Sequence, residues 1–277
     1  MKTSFLYTIL AILSISSLTL KAQTYEEMIE KSYEYVDNND LPAAEETLKA
    51  AMRLEPANRY NYALLTNLGT IQRRQGKFEE AIISYSAALS QQPNSELILR
   101  NRAQLYTEMG KTESALIDYD RLLSLNPLDE ESLYDRGLLY IQTENLLLAD
   151  ADFEKILELN PETIKGRMGF AILEKVRENY SESEIIFNYL IDKYPKNIRL
   201  YEERAELYFL MNKNARAMTD LNKVFAETTN PSAEMYVLRG RVKLAQHEKE
   251  SAAIDFRKAQ ELGYDAETIA ALLKQSF

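Results

Sequence analysis

The chain has 277 residues, 27% of them charged and 45% hydrophobic, with 8 glycines, 7 prolines and no cysteine. That composition is too apolar and aromatic for a disordered chain. The lack of cysteine excludes disulfides, thiolate metal sites, cysteine nucleophiles and a lipid-bearing cysteine at a processing site. A net charge of −10 repels phosphate backbones and anionic lipid surfaces, which argues against nucleic acid as a partner.

Residues 1–22 read as a separate unit. Lys2 gives a basic start, Phe5 to Leu20 is a mainly apolar run, and Lys21-Ala22-Gln23 offers a small residue at a cut after Ala22. This is the layout of a secretory signal peptide, so the expectation is a periplasmic or secreted protein after cleavage near Ala22. An uncleaved anchor is the alternative, and membrane contact is expected only in that case. The apolar run is short against the roughly 20 residues that a span needs. Beyond residue 22 the chain carries 31 bases against 43 acids.

Prolines set the period of everything that follows. Pro93, Pro127, Pro161 and Pro195 stand 34 residues apart, with Pro56 before and Pro231 after the series. Each closes a similar phrase, such as Leu125-Asn126-Pro127 and Leu159-Asn160-Pro161. Proline ends a helix there, because it cannot donate to one and disfavours helical geometry just before it. The register gives repeats near 25–58, 62–95, 96–129, 130–163, 164–197, 198–231 and 233–264, with a last helix over 265–276.

Each repeat reads as two helices. In the second, Leu65, Leu68, Gly69 and Gln72 share one face, a break falls at Gln75-Gly76-Lys77, and Phe78, Ala81, Ile82, Tyr85 and Ala88 share another. Gly76 and Gly110 supply the backbone freedom of the turn, with Asn39 and Asn212 in that role elsewhere. The eighth place is small in every repeat: Ser32, Gly69, Ala103, Gly137, Ala171, Ala205 and Gly240. So is the twentieth: Ala44, Ala81, Ala115, Ala149, Ser183, Ala217 and Ala252. The twenty-fourth is large: Leu48, Tyr85, Tyr119, Phe153, Phe187, Leu221 and Phe256. Small against large at fixed spacing is how packed helix layers interlock.

This pattern resembles the tetratricopeptide repeat family, whose 34-residue unit has small residues at these two places and a closing proline. The resemblance covers nearly everything after residue 22. It implies an all-α, right-handed α-solenoid of seven helical hairpins with a concave groove that binds a peptide or a partner's helix. The chain departs from the family in lacking tryptophan at the fourth place, where Met28, Leu65, Leu99, Leu133, Tyr201 and Tyr236 stand. The fifth repeat also has Arg167 and Glu174 where apolar or aromatic residues are expected. One repeat cannot bury its apolar face alone, so the array needs an end cover. Asp265 as N-cap and the stripe Ile269, Leu272 and Leu273 predict a capping helix.

A charge pair runs through four repeats. Arg102, Arg136, Arg204 and Arg239 hold the seventh place, and Asp118, Asp152, Asp220 and Asp255 the twenty-third of the same repeats. Phe170 and Ile186 replace both in the fifth. The expectation is a structural ion pair, within a hairpin or between neighbours, in which the planar guanidinium meets a carboxylate through two hydrogen bonds.

No catalytic or cofactor motif stands beside this. The one histidine, His247, reads as a solvated turn residue, and HExxH, GxSxG and a glycine-rich phosphate loop are all absent. The expectation is no enzyme, no cofactor and no metal.

The family resemblance implies that the second, fifth, ninth, twelfth and thirteenth places of each first helix line the groove. Those places give a polar and basic stretch (Thr66, Thr70, Arg73, Arg74, Arg100, Gln104), an apolar one (Tyr134, Leu138, Ile141, Met168, Ile172), and an acidic one (Glu202, Glu206) beside Phe209. A partner peptide with the opposite order of charge would suit them. Asp135 and Gly169 fall where a clamp for a chaperone's terminal carboxylate would need cations or asparagine. The leading expectation is a scaffold or adaptor of the bacterial cell envelope that binds a protein or peptide. The alternatives are a small-ligand or glycan-binding solenoid, or a membrane-tethered adaptor.

Overall fold

Residues 24–276 are described in the computed structural model, and among them the regular elements are fifteen α-helices with no strand. The predicted signal segment lies outside these residues. The chain divides after Lys111 into two compact units. The first holds α1 (Tyr25–Asp37), α2 (Leu41–Leu54), α3 (Asn61–Arg74), α4 (Phe78–Gln91) and α5 (Glu96–Glu108). The second holds α6 (Thr112–Leu125), α7 (Glu130–Gln142), α8 (Leu146–Leu159), α9 (Ile164–Val176), α10 (Tyr180–Lys193), α11 (Ile198–Leu210), α12 (Asn214–Glu227), α13 (Ala233–Ala245), α14 (Lys249–Glu261) and α15 (Ala266–Gln275). Within the units, α1 pairs with α2, α3 with α4, α7 with α8, α9 with α10, α11 with α12, and α13 with α14.

Side-chain caps mark where several of these helices begin. Thr24 and Glu27 form a reciprocal capping box, the Thr24 hydroxyl accepting from the Glu27 N–H at 3.2 Å and the Glu27 carboxylate from the Thr24 N–H at 2.9 Å. Asp40, Asp129 and Ser232 cap α2, α7 and α13.

The hairpin turns share one device. The fifteenth residue of each repeat has a left-handed backbone: Asn39, Gly76, Gly110, Glu144, Glu178, Asn212 and His247, with φ from 57° to 74°. The next N–H then reaches back five residues, as from Lys77 to the Gln72 carbonyl (2.9 Å) and from Asn145 to that of Tyr140 (2.8 Å). That pattern satisfies carbonyls that the first helix leaves open at its end. Glycine and asparagine at four of these turns were readable from residue type. Glu144, Glu178 and His247 adopt the same strained geometry because the two helices on either side dictate it.

All three residue columns of the sequence pattern are buried: the small eighth and twentieth places and the large twenty-fourth. The closeness is measurable at the glycines. A methyl group on Gly69 would lie 2.7 Å from the Tyr85 ring, and one on Gly137 2.6 Å from the ring of Phe153. No side chain fits there without moving an aromatic ring.

The fifth repeat tolerates its polar residues by pairing them locally. Arg167 donates to the Pro161 carbonyl and to Glu162 and covers the Tyr189 ring, while Glu174 accepts from Arg177 and Asn179. At the C-terminal end, Asp265 caps α15 by accepting from the Thr268 N–H at 2.7 Å. Ile269 and Leu272 then close a core with Val237, Ala252, Phe256 and Ala259.

A left-handed conformation costs a residue with a side chain about 1–2 kcal/mol, against about 0.5–1 kcal/mol for the extra chain entropy of glycine. Replacing exposed Glu144 by glycine (Glu144→Gly) is therefore expected to stabilise the protein by about 0.5–1 kcal/mol, read as a melting temperature raised by roughly 1–4 °C.

Candidate functional site

Charged residues at the hairpin seams have to be accounted for before any surface is assigned to binding. Arg136 grips Asp152 with two hydrogen bonds, Nε to Oδ2 at 2.9 Å and Nη2 to Oδ1 at 2.6 Å, and gives its third arm to Asp120 of the preceding hairpin at 2.7 Å. Arg204 does the same with Asp220 (2.8 Å twice) and with Asn188 (2.7 Å). Arg239 holds Asp255 at 2.9 and 2.6 Å, joined there by Lys243 at 2.8 Å, and lies over the Phe225 ring. In the first unit Arg102 donates to Ser86 at 2.9 Å, and Asp118 is buried in the second unit. Ser86, Asp120 and Asn188 all occupy the twenty-fifth place of the preceding repeat. In the second unit Arg136, Arg204 and Arg239 thus tie their own hairpins together, and Arg136 and Arg204 also reach back by a hydrogen bond to the hairpin before. Burial pulls the Arg136 guanidinium towards neutrality, but its bonds to Asp152 and Asp120 outweigh that and hold it above arginine's ordinary range.

A second set of seams was not visible in the sequence. It runs from an acid at the twenty-first place to cations at the turn of the next hairpin. Asp150 accepts from Arg177 at 2.6 Å, and Glu184 from Lys213 and Arg216 at 2.6 and 2.9 Å. Buried Glu45 is the fullest case, accepting from Lys49 (2.6 Å), Lys77 (2.7 Å), Gln75 (2.9 Å) and Gln72 (3.1 Å). Burial raises its pKa, but these four donors outweigh burial and hold the carboxyl down to about 2. Three of seven repeats carry such an acid, too few to stand out as a column.

The candidate groove residues divide by exposure. In the first unit, buried Thr66 gives its hydroxyl to the Tyr62 carbonyl, and exposed Thr70 shares a 3.0 Å hydrogen bond with the Tyr85 hydroxyl. Arg73 is forked onto Glu108, whereas exposed Arg74 makes one 3.3 Å bond to the neutral side chain of Asn39. Arg100 and Gln104 are half-buried on α5. The three arginines therefore do not form one uniform basic patch.

In the second unit Tyr134, Met168 and Ile172 are buried, and Leu138 and Ile141 are half-buried. The Tyr134 ring packs 6.1 Å from that of Phe153, with the Arg199 guanidinium 5.5 Å from its centroid. Burial leads the forces that push the Tyr134 hydroxyl far above its usual range. Glu206 pairs with Lys175 at 2.5 Å, and Glu203 pairs with it at 2.8 Å. Lys175 stands at the twelfth place, a groove place, and is 6% exposed. Burial lowers its pKa, but the two carboxylates reverse that and keep it charged. Glu202 has the opposite fate: burial first, and then Glu203, push its carboxyl up, with Arg199 opposing. The lysine was missed because its partners lie 28 and 31 residues along the chain, in another hairpin. Its signal was the pair of acids one helical turn apart in the next first helix.

Among the described residues no cluster of His, Cys, Asp or Glu could hold a metal ion, and no helix is long and apolar enough to cross a membrane. The geometry defines an all-α repeat protein, built of helical hairpins that nest through small-on-large contacts and arginine seams. In agreement, the tetratricopeptide repeat family matches residues 29–96, and again 100–127 and 130–163. A crystal structure of a tetratricopeptide repeat protein from Parabacteroides merdae ATCC 43184 is 62% identical over 91% of this chain and 98% of that one, with a TM-score of 0.83. The chain belongs to the tetratricopeptide repeat family. PilW, a type IV pilus biogenesis factor, is 19% identical over 76% of this chain and 98% of its own, with a TM-score of 0.60. The Cut9–Hcn1 assembly of the APC/C is 13% identical over 96% and 58%, with a TM-score of 0.66. Both share the fold. No curated protein matches the sequence.

Cutting one partner of a buried pair leaves a lone charge, at a cost of about 3–5 kcal/mol, while exchanging both for apolar residues can be neutral. Arg136→Met is therefore expected to melt well below the parent, and the Arg136→Met, Asp152→Leu double variant close to it, in thermal unfolding monitored by circular dichroism. Glu45 makes a prediction in pH. Its folded pKa lies below its unfolded value, so the stabilisation is complete above about pH 4.5 and is lost as pH falls towards 2. Glu45→Gln should be less stable than the parent by about 2–3 kcal/mol at pH 7, with the gap closing across that acid window in denaturant titrations.

Proposed function

We propose that this protein is a non-enzymatic scaffold of the bacterial cell envelope that binds a peptide or helix of a partner protein along its first helices. Members of this family typically serve as protein–protein interaction scaffolds. The observation that carries the reading is the set of groove-place side chains not consumed by packing. Thr70 and Arg74 in the first unit, and Leu138, Ile141 and Glu202 in the second, keep accessible surface of differing chemistry. Side chains of that kind recognise an extended or helical segment by pockets and charges rather than by shape alone. Export is supported by Lys2, the apolar run Phe5 to Leu20 and the small Ala22.

A second reading rests on a different surface. On the second helices of the second unit, Ile117, Leu147 and Ile185 are 66%, 82% and 61% exposed. Isolated apolar residues are ordinary on a surface, but three on successive second helices offer an alternative docking face.

Photo-crosslinking residues placed at Thr70, Leu138 or Leu147 in intact cells, followed by mass spectrometry, separate the two. Capture from positions 70 and 138 but not 147 is the expected result. Reversing Arg73, Arg74 and Arg100 to glutamate should abolish capture from position 70 with a fall in melting temperature of only a few degrees, since the Arg73–Glu108 pair is at the surface. Undiminished capture removes the basic stretch from the reading. Amino-terminal sequencing of exported protein should begin at Gln23.

A further inference from the structure

The aromatic column is interrupted in the first hairpin. Phe153 in the second unit shows what an intact position looks like. Its ring is wedged between Gly137, the eighth residue of its own repeat, and Gly169, the sixth residue of the next, so that a methyl group on either would collide with it. The matching place in the first repeat lies between Ser32 and Asn67, and it holds Leu48 in place of a ring. An isobutyl group is shorter than a benzyl group and does not reach as far across. The space it fails to fill is a cavity of about 130 Å3. Its floor and walls are Ser32, Leu48, Val36 and Ile71, and its rim is Tyr33, Asn67, Thr70 and Arg74. The sixth repeat also has a leucine at this place, Leu221, but there Leu238 packs into the same core.

The cavity's surroundings narrow what it can take. Ser32 and Leu48 at its base are 1% exposed, and the Ser32 hydroxyl is turned to the Ile29 carbonyl at 2.6 Å. The floor therefore offers an apolar ligand no competition for hydrogen bonds. An apolar hollow of this size accommodates a single benzene-sized group. At the rim, Asn67 donates to the Tyr33 hydroxyl at 3.3 Å, and Tyr33 is 51% exposed. Arg74 is the charged side chain among the described lining residues, and no carboxylate lines the cavity.

We propose that this cavity receives one apolar side chain, of leucine or phenylalanine size, from an acidic segment of a partner, whose carboxylates meet Arg74 at the rim. The proposal rests on the groove reading, since Thr70 and Arg74 are groove places, and it names the chemistry of the partner there.

The test uses the whole protein, isotope-labelled, and a blocked pentapeptide with leucine between two pairs of glutamates. Amide shifts of Ser32, Asn67 and Thr70 should saturate on titration. Alanine in place of the leucine should weaken binding at least tenfold, through loss of buried methyl and methylene groups, and lysines in place of the glutamates should weaken it severalfold. Leu48→Phe puts a ring there as in the fifth repeat, where buried Phe187 stands with Ala171 and Glu203, neither a glycine, at the places of Ser32 and Asn67. It should melt at or above the parent temperature and lose at least tenfold in affinity. Equal affinity of leucine and alanine peptides, equal affinity of parent and L48F, or no saturable shift at millimolar peptide would each overturn the proposal. The alanine peptide decides the matter on unaltered protein should L48F fold poorly. Crosslinking that depends on the arginines but is unchanged in L48F would remove the cavity and leave the groove reading standing. Peptide binding at the cavity with crosslinking indifferent to the arginines would remove the groove reading alone.

Discussion

The structure depends on a contact between an aromatic ring and a residue too small to push it away. At the twenty-fourth place of a repeat the ring lies against the eighth place of its own first helix. In the case of Phe153 it also presses on Gly169 of the next hairpin. One side chain therefore sets the distance within a hairpin and the distance between hairpins together. Interiors packed as tightly as crystals of small molecules have no slack to absorb an added methyl group at such a point. The other constraints on the chain are arranged around that spacing: seven turns forced into left-handed geometry, a buried alanine or serine at each twentieth place, and a capped final helix.

The arginine seams make sense on the same footing. Once the rings have fixed how far apart two hairpins stand, a guanidinium at the seventh place can satisfy an aspartate beside it and a polar residue one hairpin back. Its flat, five-donor fork suits that double duty in a way an ammonium group would not. The acids at the twenty-first place, Glu45, Asp150 and Glu184, use the neighbouring turn for the same purpose. Such contacts give little net stability compared with apolar packing of equal volume. They do make sliding one hairpin along the next unfavourable, because every slip would strand a buried charge.

Binding capacity then comes from what packing leaves over. Much of the inner face is consumed internally: Tyr134, Met168 and Ile172 are buried, Arg73 is held by Glu108, and Lys175 is held by two glutamates. What remains is a sparse set of exposed side chains, and one place in the first unit where a leucine stands in for a ring. An interruption in a repeating core is a natural origin for a specific pocket. Its walls come from two packed hairpins, so a ligand meets a preformed surface.

The amino-acid sequence by itself determined the repeat length, the hairpin boundaries, the three buried columns and the partnership of the seventh and twenty-third places. These follow from local periodicity, since residues spaced by three, four or seven must share a helical face and proline must end a helix. Glycine and asparagine likewise announced their turns. The tertiary structure alone decided which turns would force Glu144, Glu178 and His247 into left-handed geometry, and that the arginines would reach back to Ser86, Asp120 and Asn188. It alone drew Lys175 between Glu203 and Glu206, buried Thr66, Tyr134, Met168 and Ile172 of the expected groove, and opened a cavity beside Leu48. Each of these depends on distances between different hairpins, and those distances are fixed by the packing of side chains far apart in the chain, which no local pattern encodes.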